Sequence, residues 1–334
     1  MPVWTGTNGS DYFNAYLQGA NQSWTAYGYG GNDQLIANGW DILYGGSGDD
    51  LLTGFGSYNW LYGESGNDVL ESVGASFSYL SGGSGNDTYT IDTATPIIFE
   101  AASAGTDTVL LVGSSISEYY LPANVENVKA SGTHFLYPLN SYRTVINNST
   151  QTIHGNELSN TITANNLNNT LNGNDGNDVI FGKDGYDTLN GGDGSDILFG
   201  GNDQDLLDGG NGNDFLYGGN DSDQIIGGVG NDVLVGYDSS STSDSEFDYL
   251  TGGAGADFFH LGNNAMAYYL GSDYAVISDF DWSEGDKFYV FGSESDYTLT
   301  TSSSSASIFY QGDLIAYVGN TNDVIISEDF VFLS

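Results

Sequence analysis

From Asp178 to Asp232 an aspartate falls at every ninth residue: Asp178, Asp187, Asp196, Asp205, Asp214, Asp223 and Asp232. A glycine-rich hexapeptide ends in each of them, as in Gly191-Gly192-Asp193-Gly194-Ser195-Asp196. Carboxylates at a fixed interval, in a backbone free to turn its carbonyls, are a donor set for a hard cation. Calcium takes about six to eight oxygens at roughly 2.3–2.6 Å, so side chains would supply charge and the main chain the remaining ligands. Other chemistry is not visible. There is no metalloprotease His-Glu-x-x-His, no Gly-x-Ser-x-Gly elbow and no phosphate-binding Gly-Lys-Ser/Thr loop. His134, His154 and His260 are scattered without a zinc-like spacing, which leaves them structural. Carboxylates are too numerous for any glycosidase-type pair to stand out, and no enzyme is expected.

The elements that must position these acids follow from the period. Two residues after each aspartate stands a large aliphatic: Ile180, Leu189, Leu198, Leu207, Leu216, Ile225 and Leu234. Six glycine-rich residues make a turn, and three make a short strand whose central side chain points inward. Two nonapeptides complete one coil, so each repeat stacks on the one eighteen residues away at the strand spacing of roughly 4.8 Å. Stacking brings the carboxylates together along each edge. Unneutralised, a pair costs on the order of 1 kcal/mol in water and more when partly buried. The metal-free form is therefore expected to be loose.

The phase extends N-terminally with asparagine, at Asn160 and Asn169. A Ser- and Asp-rich insertion at 237–246 interrupts it, and it resumes with Asp248–Leu250 and Asp257–Phe259. A looser block near the N-terminus has Asp33, Asp41, Asp50, Asn59, Asp68 and Asp87, followed at two residues by Leu35, Leu43, Leu52, Leu61, Leu70 and Tyr89. Its 72–80 repeat lacks the acid, and Gly6–Asn14 is an outlying copy followed by an aromatic insertion with Tyr16, Trp24 and Tyr27.

Composition sets the boundaries. Four Lys+Arg against 44 Asp+Glu give a formal charge of −40, which repels nucleic acid and anionic membrane. The chain is 39% hydrophobic, enough to bury a core once something neutralises the carboxylates. With 49 Gly and 4 Pro, repeated turns are favoured over a helical bundle. There is no Cys and hence no disulfide framework, and no apolar run reaches the ~20 residues of a membrane span, so no membrane insertion is expected. Met1–Gly6 shows no Sec-type signal peptide.

The repeats resemble the RTX (repeats-in-toxin) nonapeptide, Gly-Gly-x-Gly-x-Asp-x-aliphatic-x. The resemblance implies an all-β protein, a parallel β-roll with several Ca2+ ions between stacked turns. In the family one turn gives its Asp and the carbonyls of its second and fourth residues, and the next turn on that edge gives its Asp and the carbonyls of its first and third. Carried across, one site joins Asn174, Gly176 and Asp178 to Gly191, Asp193 and Asp196. The opposite edge joins Lys183, Gly185 and Asp187 to Gly200, Asn202 and Asp205. The stacks continue through Gly209, Asn211 and Asp214, through Gly218, Asn220 and Asp223, and on to Gly227, Asp232 and Asp257. In the N-terminal block Gly46, Gly48 and Asp50 face Gly63, Ser65 and Asp68, with Asp33 and Asp87 as further ligands. Asn59, Asn160 and Asn169 depart from the pattern, and full-affinity sites are not expected there.

The resulting organisation is a degenerate β-roll at 1–90, a β-rich link at 91–155, the main β-roll at 156–260 and a β-rich cap at 261–334. Gly105–Val109 and Asn124–Val128 resemble segments that join repeat blocks, and Val276–Asp281 with Glu284–Lys287 resembles the cap after the last repeat. The ending Glu328-Asp329-Phe330-Val331-Phe332-Leu333-Ser334 is similar to the uncleaved signal of type I secretion substrates, although an edge strand would read the same way. The expected location is outside a Gram-negative-type cell, with the type I secretion apparatus as a partner. Folding would follow export, because metal that binds only the folded state stabilises it by mass action.

Residues flanking each inward aliphatic point outward, and alternate repeats belong to opposite sheets. One sheet of the main block shows a continuous apolar stripe of Val179, Phe181, Ile197, Phe199, Phe215, Tyr217, Val233 and Val235. The other shows Thr188, Asn190, Leu206, Asp208, Gln224 and Ile226. In the N-terminal block Ile42, Tyr44, Trp60, Tyr62 and Tyr79 fall on one sheet, and Gln34, Leu51, Thr53, Glu71, Thr88 and Thr90 on the other. Apolar patches of this size are rarely left in water. Each stripe is either covered internally, by the other stripe, the link or the cap, or it joins subunits. Self-association into a surface layer, sheath, filament or matrix is the expected role. The alternative is a calcium-stabilised adhesin or polysaccharide-binding module, since 24 Tyr and 5 Trp offer faces for sugars.

Overall fold

From Asp178 to Asp232 each aspartate of the repeat is followed directly by a strand, as Asp178 is by Val179–Asp184 and Asp196 by Ile197–Asn202. The computed structural model describes residues 1–334 apart from 19–21, 57, 75–76, 94, 114–115, 131, 137–140, 146–149, 238–245, 264, 322 and 334, with backbone alone at 132–136 and 141–145. Most of the 237–246 insertion thus lies outside the described residues. The chain divides into two compact units, Met1–Asn165 and Asn166–Ser334, each a parallel β-solenoid with almost no helix.

In the first unit the strands alternate between two parallel sheets. One contains Thr25–Gly30, Ile42–Ser47, Trp60–Ser65, Tyr79–Ser84 and Ile97–Ile98 in sequence order; the other runs from Tyr12–Asn14 through Gln34–Asn38, Leu51–Phe55, Val69–Val73 and Thr88–Ile91 to Thr108–Leu111. The second unit repeats the plan, with Val179–Asp184, Ile197–Asn202, Phe215–Gly219, Val233–Tyr237 and Phe258–His260 on one sheet. Thr170–Asp175, Thr188–Asp193, Leu206–Asn211, Gln224–Val229 and Phe247–Ala254 form the facing sheet. Its later strands turn antiparallel, Tyr297–Thr301 and Ser305–Tyr310 pairing ahead of Asp313–Gly319. Phe330–Leu333 lies parallel to Lys287–Phe291, so the acid-then-apolar ending forms a strand of this unit.

The inward aliphatics form the core. Leu43, Leu61 and Leu80 stack on one side of the first unit and Leu35, Leu52 and Leu70 on the other, all fully buried. Ile180, Leu198, Leu216 and Leu234 face Leu189, Leu207 and Ile225 in the second unit, equally buried. Burial of each contributes about 1.5–3 kcal/mol against the entropy of ordering the coil. The strands run five or six residues, longer than the three expected, because the turn residues also pair: Lys183 with Gly201 and Asp184 with Asn202. That close stacking leaves no room for side chains inside the turn. Gly212 has a φ of 137°, and a Cβ there would run into the Gly194 carbonyl oxygen.

The outward faces differ from expectation in two places. Val235 is closed off from solvent, and in the first unit Thr53, Glu71 and Thr90 are buried, with Thr53 Oγ1 donating to Glu71 Oε2 at 2.8 Å. No helix among the described residues is long and apolar enough to cross a membrane.

Candidate metal sites along the coil edges

The two oxygens of each turn aspartate have different fates. Oδ1 accepts the main-chain N–H of the aspartate one coil earlier: Asp178 donates to Asp196 at 2.7 Å, Asp196 to Asp214 at 2.7 Å and Asp214 to Asp232 at 2.8 Å. The opposite edge repeats this from Asp187 to Asp205 and from Asp205 to Asp223, both at 2.8 Å. In the first unit Asp33, Asp50 and Asp68 donate in turn to Asp50, Asp68 and Asp87. Oδ2 is buried, and no described group donates to it at Asp33, Asp50, Asp68, Asp87, Asp187, Asp196, Asp205, Asp214, Asp223, Asp232 or Asp257.

These oxygens point at another acceptor. A Cβ placed on Gly209 would lie 2.5 Å from Asp214 Oδ2 and 2.5 Å from the Gly227 carbonyl oxygen; on Gly200 it would lie 2.5 Å from Asp205 Oδ2 and 2.6 Å from the Gly218 carbonyl. The same convergence joins Asp178 to Gly191, Asp187 to Gly200, Asp196 to Gly209, Asp232 to Gly252, Asp50 to Gly63 and Asp68 to Gly82. A buried carboxylate oxygen and a main-chain carbonyl oxygen thus share one small space in each turn, an arrangement that suits a hard cation ligated by both. Of the expected carbonyl ligands, those of Asp193, Asn211 and Ser65 each accept one N–H, from Gly176, Gly194 and Gly48, at 2.7–2.9 Å, which leaves each a second lone pair. Asn174 and Lys183 take left-handed φ values of 78° and 88°, with their carbonyls against Gly192 and Gly201. The Gly176 carbonyl lies against Gly194 and that of Gly48 against Gly66, and the Tyr29 carbonyl lies against Gly46. Gly185 donates its N–H to Asp203 Oδ2 at 3.1 Å. The side chains of Asn202, Asn211 and Asn220 form an exposed ladder outside the turns, donating to Asp184, Asp193 and Asn202.

Without a counter-ion these carboxyls hold their protons to a higher pH than a free aspartate does. Burial, with the charges of Asp187, Asp203 and Asp221, pushes Asp205 up to about 8, and burial with Asp248 nearby pushes Asp223 to about 10. Asp68, Asp187 and Asp232 rise to about 7 and Asp50 and Asp214 to about 6, with burial the largest cause in each. Asp33, Asp87, Asp196 and Asp257 are raised for the same reason.

The asparagine positions behave otherwise. Asn59 Nδ2 donates to the Phe55 and Gly56 carbonyls at 2.9 and 3.3 Å, and Asn160 Nδ2 donates to the Glu126 carbonyl at 3.2 Å. Asn169 Nδ2 donates to the Leu167 carbonyl. An amide supplies internally the donor that an aspartate lacks. His260 is half-buried, lowered to about 4 by loss of solvent, and stacked on Tyr289; His154 stacks on Tyr120. The side chain of His134 lies outside the description.

Several acids extend the rows beyond the repeats. Asp107 Oδ1 accepts from Asp87 and Glu126 Oε2 from Asp107, both at 2.7 Å, and Asp286 Oδ1 accepts from Asp257 at 2.9 Å. Gly105-x-Asp107-x-Val109 and Gly285-Asp286-x-Phe288 preserve fragments of the repeat, the signal that could have marked them. Asp248 ends the other row, its Oδ2 accepting from the Tyr269 hydroxyl at 2.6 Å. Asp279 takes the N–H groups of Gly252 and Gly253, and Glu284 that of Gly255.

A parallel solenoid whose edges carry paired, unsatisfied carboxylates defines a calcium-binding β-roll. The family model of the RTX calcium-binding nonapeptide repeat (4 copies) matches residues 36–70, 73–90, 154–189, 172–207, 184–216, 199–234 and 243–265. The chain carries RTX calcium-binding nonapeptide repeats in a parallel β-solenoid, as RTX β-roll proteins do; such repeats bind Ca2+ at multiple sites, and proteins that carry them are generally secreted. That fold is typically non-catalytic. A search of curated proteins found no match. Among solved structures the chain is similar to the extracellular lipase LipA from Serratia marcescens, at 14% identity and a TM-score of 0.16, over 93% of this chain and 42% of that one. The chain spans less than half the length of that lipase, and a likeness of this size carries no argument.

Proposed function

We propose that the protein is a non-enzymatic structural component that folds on calcium outside the cell and joins to copies of itself in a surface layer, sheath, filament or matrix. The observation that supports this best is the apolar row along one sheet of the second unit. Val179, Phe181, Phe199, Tyr217 and Val233 remain half-buried, and Ile197 and Phe215 are 38% and 36% exposed. Phe181 and Phe199 stack at 5.1 Å with planes 3° apart, a flat surface suited to a second copy. The first unit offers a matching row, with Tyr27, Tyr44 and Tyr62 stacked at 4.9 Å and Trp60 half-buried beside them. The proposed calcium ligands are those of the stacked turns, Asn174, Gly176 and Asp178 with Gly191, Asp193 and Asp196, and their equivalents. The ion supplies the positive charge that lets these carboxylates be buried ionised. Export by a type I apparatus fits a chain that stays loose until it meets calcium.

Light scattering and circular dichroism during a calcium titration test the proposal. Particles are expected to grow once β-structure has formed, and Phe199→Glu is expected to keep the calcium-loaded protein monomeric. A monodisperse monomer at high concentration in calcium would overturn self-assembly. Polysaccharide binding is the second reading, favoured by the exposed stack of Trp40, Tyr58 and Phe77, with ring centroids 4.4 and 5.6 Å apart. Glycan binding that survives dilution to monomers, and is lost in Trp40→Ala, would favour that reading.

A further inference from the structure

The nonapeptide sites of the first unit pair an aspartate with a glycine carbonyl of the next coil, and the last such carbonyl is that of Gly82, facing Asp68. One coil later the pairing of Tyr79 with Ile97 and Leu80 with Ile98 brings Glu100 into register with Gly82. A carboxylate therefore occupies the position where each earlier coil has a glycine. Glu100 Oε1 accepts the Gly82 N–H at 3.1 Å and the Tyr89 hydroxyl. Glu100 Oε2, Asp87 Oδ2 and Asp107 Oδ2 are buried and have no donor among the described residues, and the three side chains are 3%, 1% and 1% exposed. One oxygen from each lies within 4.8 Å of the others. Oxygens bound to one calcium at roughly 2.3–2.6 Å are at most about 5 Å apart, so a single ion can reach all three.

We propose that Asp87, Glu100 and Asp107 form a further calcium site, built from three side-chain carboxylates and lying outside the nonapeptide pattern. All-oxygen, anionic, donor-free ligands select a hard divalent cation. The site differs from its neighbours in kind. They take one coil's carbonyl, whereas this one takes a glutamate from a segment that carries no repeat. It fixes 97–107 to the end of the acid row, and Asn124 Nδ2, donating to the Glu100 carbonyl at 3.0 Å, ties the following segment to it.

The test counts bound calcium on the full chain by equilibrium dialysis with radiolabelled calcium, with folding followed by circular dichroism. Glu100→Gln keeps the shape and removes the charge; it is expected to lose one ion, or to bind it at least tenfold more weakly, with the other ions retained. An unchanged count and affinity overturns the site. An anomalous-difference map from crystals of the unaltered protein grown in calcium decides independently of how the variant folds. A peak between the three carboxylates is expected, and filled nonapeptide turns beside an empty triad would show that protons, not calcium, hold it together.

Discussion

Along one edge of the first unit the turns carry Asp33, Asp50, Asp68, Asp87 and Asp107, each buried and each with an oxygen that no described group satisfies. Along the other edge the equivalent positions are Asp41, Asn59 and Ser78. There Asp41 accepts the N–H of Trp24 at 2.7 Å and of Asn38 at 2.6 Å, Asn59 is bonded to the main chain, and Trp40, Tyr58 and Phe77 stack beside them. One edge depends on a bound cation to hold its carboxylates together, the other on its own side-chain and main-chain groups. Aromatic pairs add about 0.5–1.5 kcal/mol each whatever the solution contains, whereas stacked carboxylates repel until they are neutralised. The second unit carries aspartates on both edges, and so has no ion-free edge to fall back on.

The largest expected effect follows from chelation. A site filled at a hundred times its dissociation constant contributes about 2.7 kcal/mol, so losing several ions exceeds the roughly 5–15 kcal/mol of a typical domain. Hydrogen exchange should show Val179–Tyr237 losing protection on chelation while Ile42–Ser47 and Trp60–Ser65 retain more. Simultaneous loss at one calcium concentration would break the comparison.

Acidity should act next, and in opposite senses with and without calcium. Unfolded carboxylates release protons at about pH 4, whereas Asp68, Asp187 and Asp232 hold theirs to about 7 and Asp205 to about 8. Between those limits the folded calcium-free form binds more protons than the unfolded chain, so its stability falls as pH rises. Calcium-free protein taken from pH 8 to pH 5 should gain β-structure by circular dichroism. With limiting calcium the same change should release the ion, whose ligands must be deprotonated.

Single residues sharpen the contrast further. Asp205→Asn should raise the calcium concentration at half-folding about tenfold or more, equivalent to about 1.4 kcal/mol. Asn59→Asp, by replacing an internal donor with a second acceptor, should cost about 1–3 kcal/mol in chelator, and calcium should recover part of it. Tyr58→Ala should have the smallest effect, about 1–2 kcal/mol from two lost stacking contacts, with the calcium midpoint of the second unit unmoved.

The repeats made the solenoid, the buried aliphatics and the acid rows legible, because a nine-residue period reports contacts that recur every coil. Asp107 and Asp286 were harder to read, since only fragments of the repeat surround them. Glu100 carries no motif at all. Its role depends on lying in register with Gly82, a relation set by how residues 85–100 complete a coil. The burial of Thr53, Glu71 and Val235 escaped for a similar reason: strand alternation gives the side a residue faces, and non-repeating segments decide what covers that side.

Every aspartate amide in these rows donates forward, to an oxygen supplied by the coil that follows, until Glu126, Asp248 or Asp286 receives the last one. A coil is therefore finished only by its successor. Removing coils from the N-terminal side of a row leaves all remaining amides capped, while removing the final acceptor strands a buried N–H at a cost of about 1–3 kcal/mol. The fold has a grain. A coil added on the N-terminal side finds its acceptors already in place, whereas one added at the far end must leave its own amide uncapped until the next is laid, a bias of about 1–3 kcal/mol towards growth back to the N-terminus.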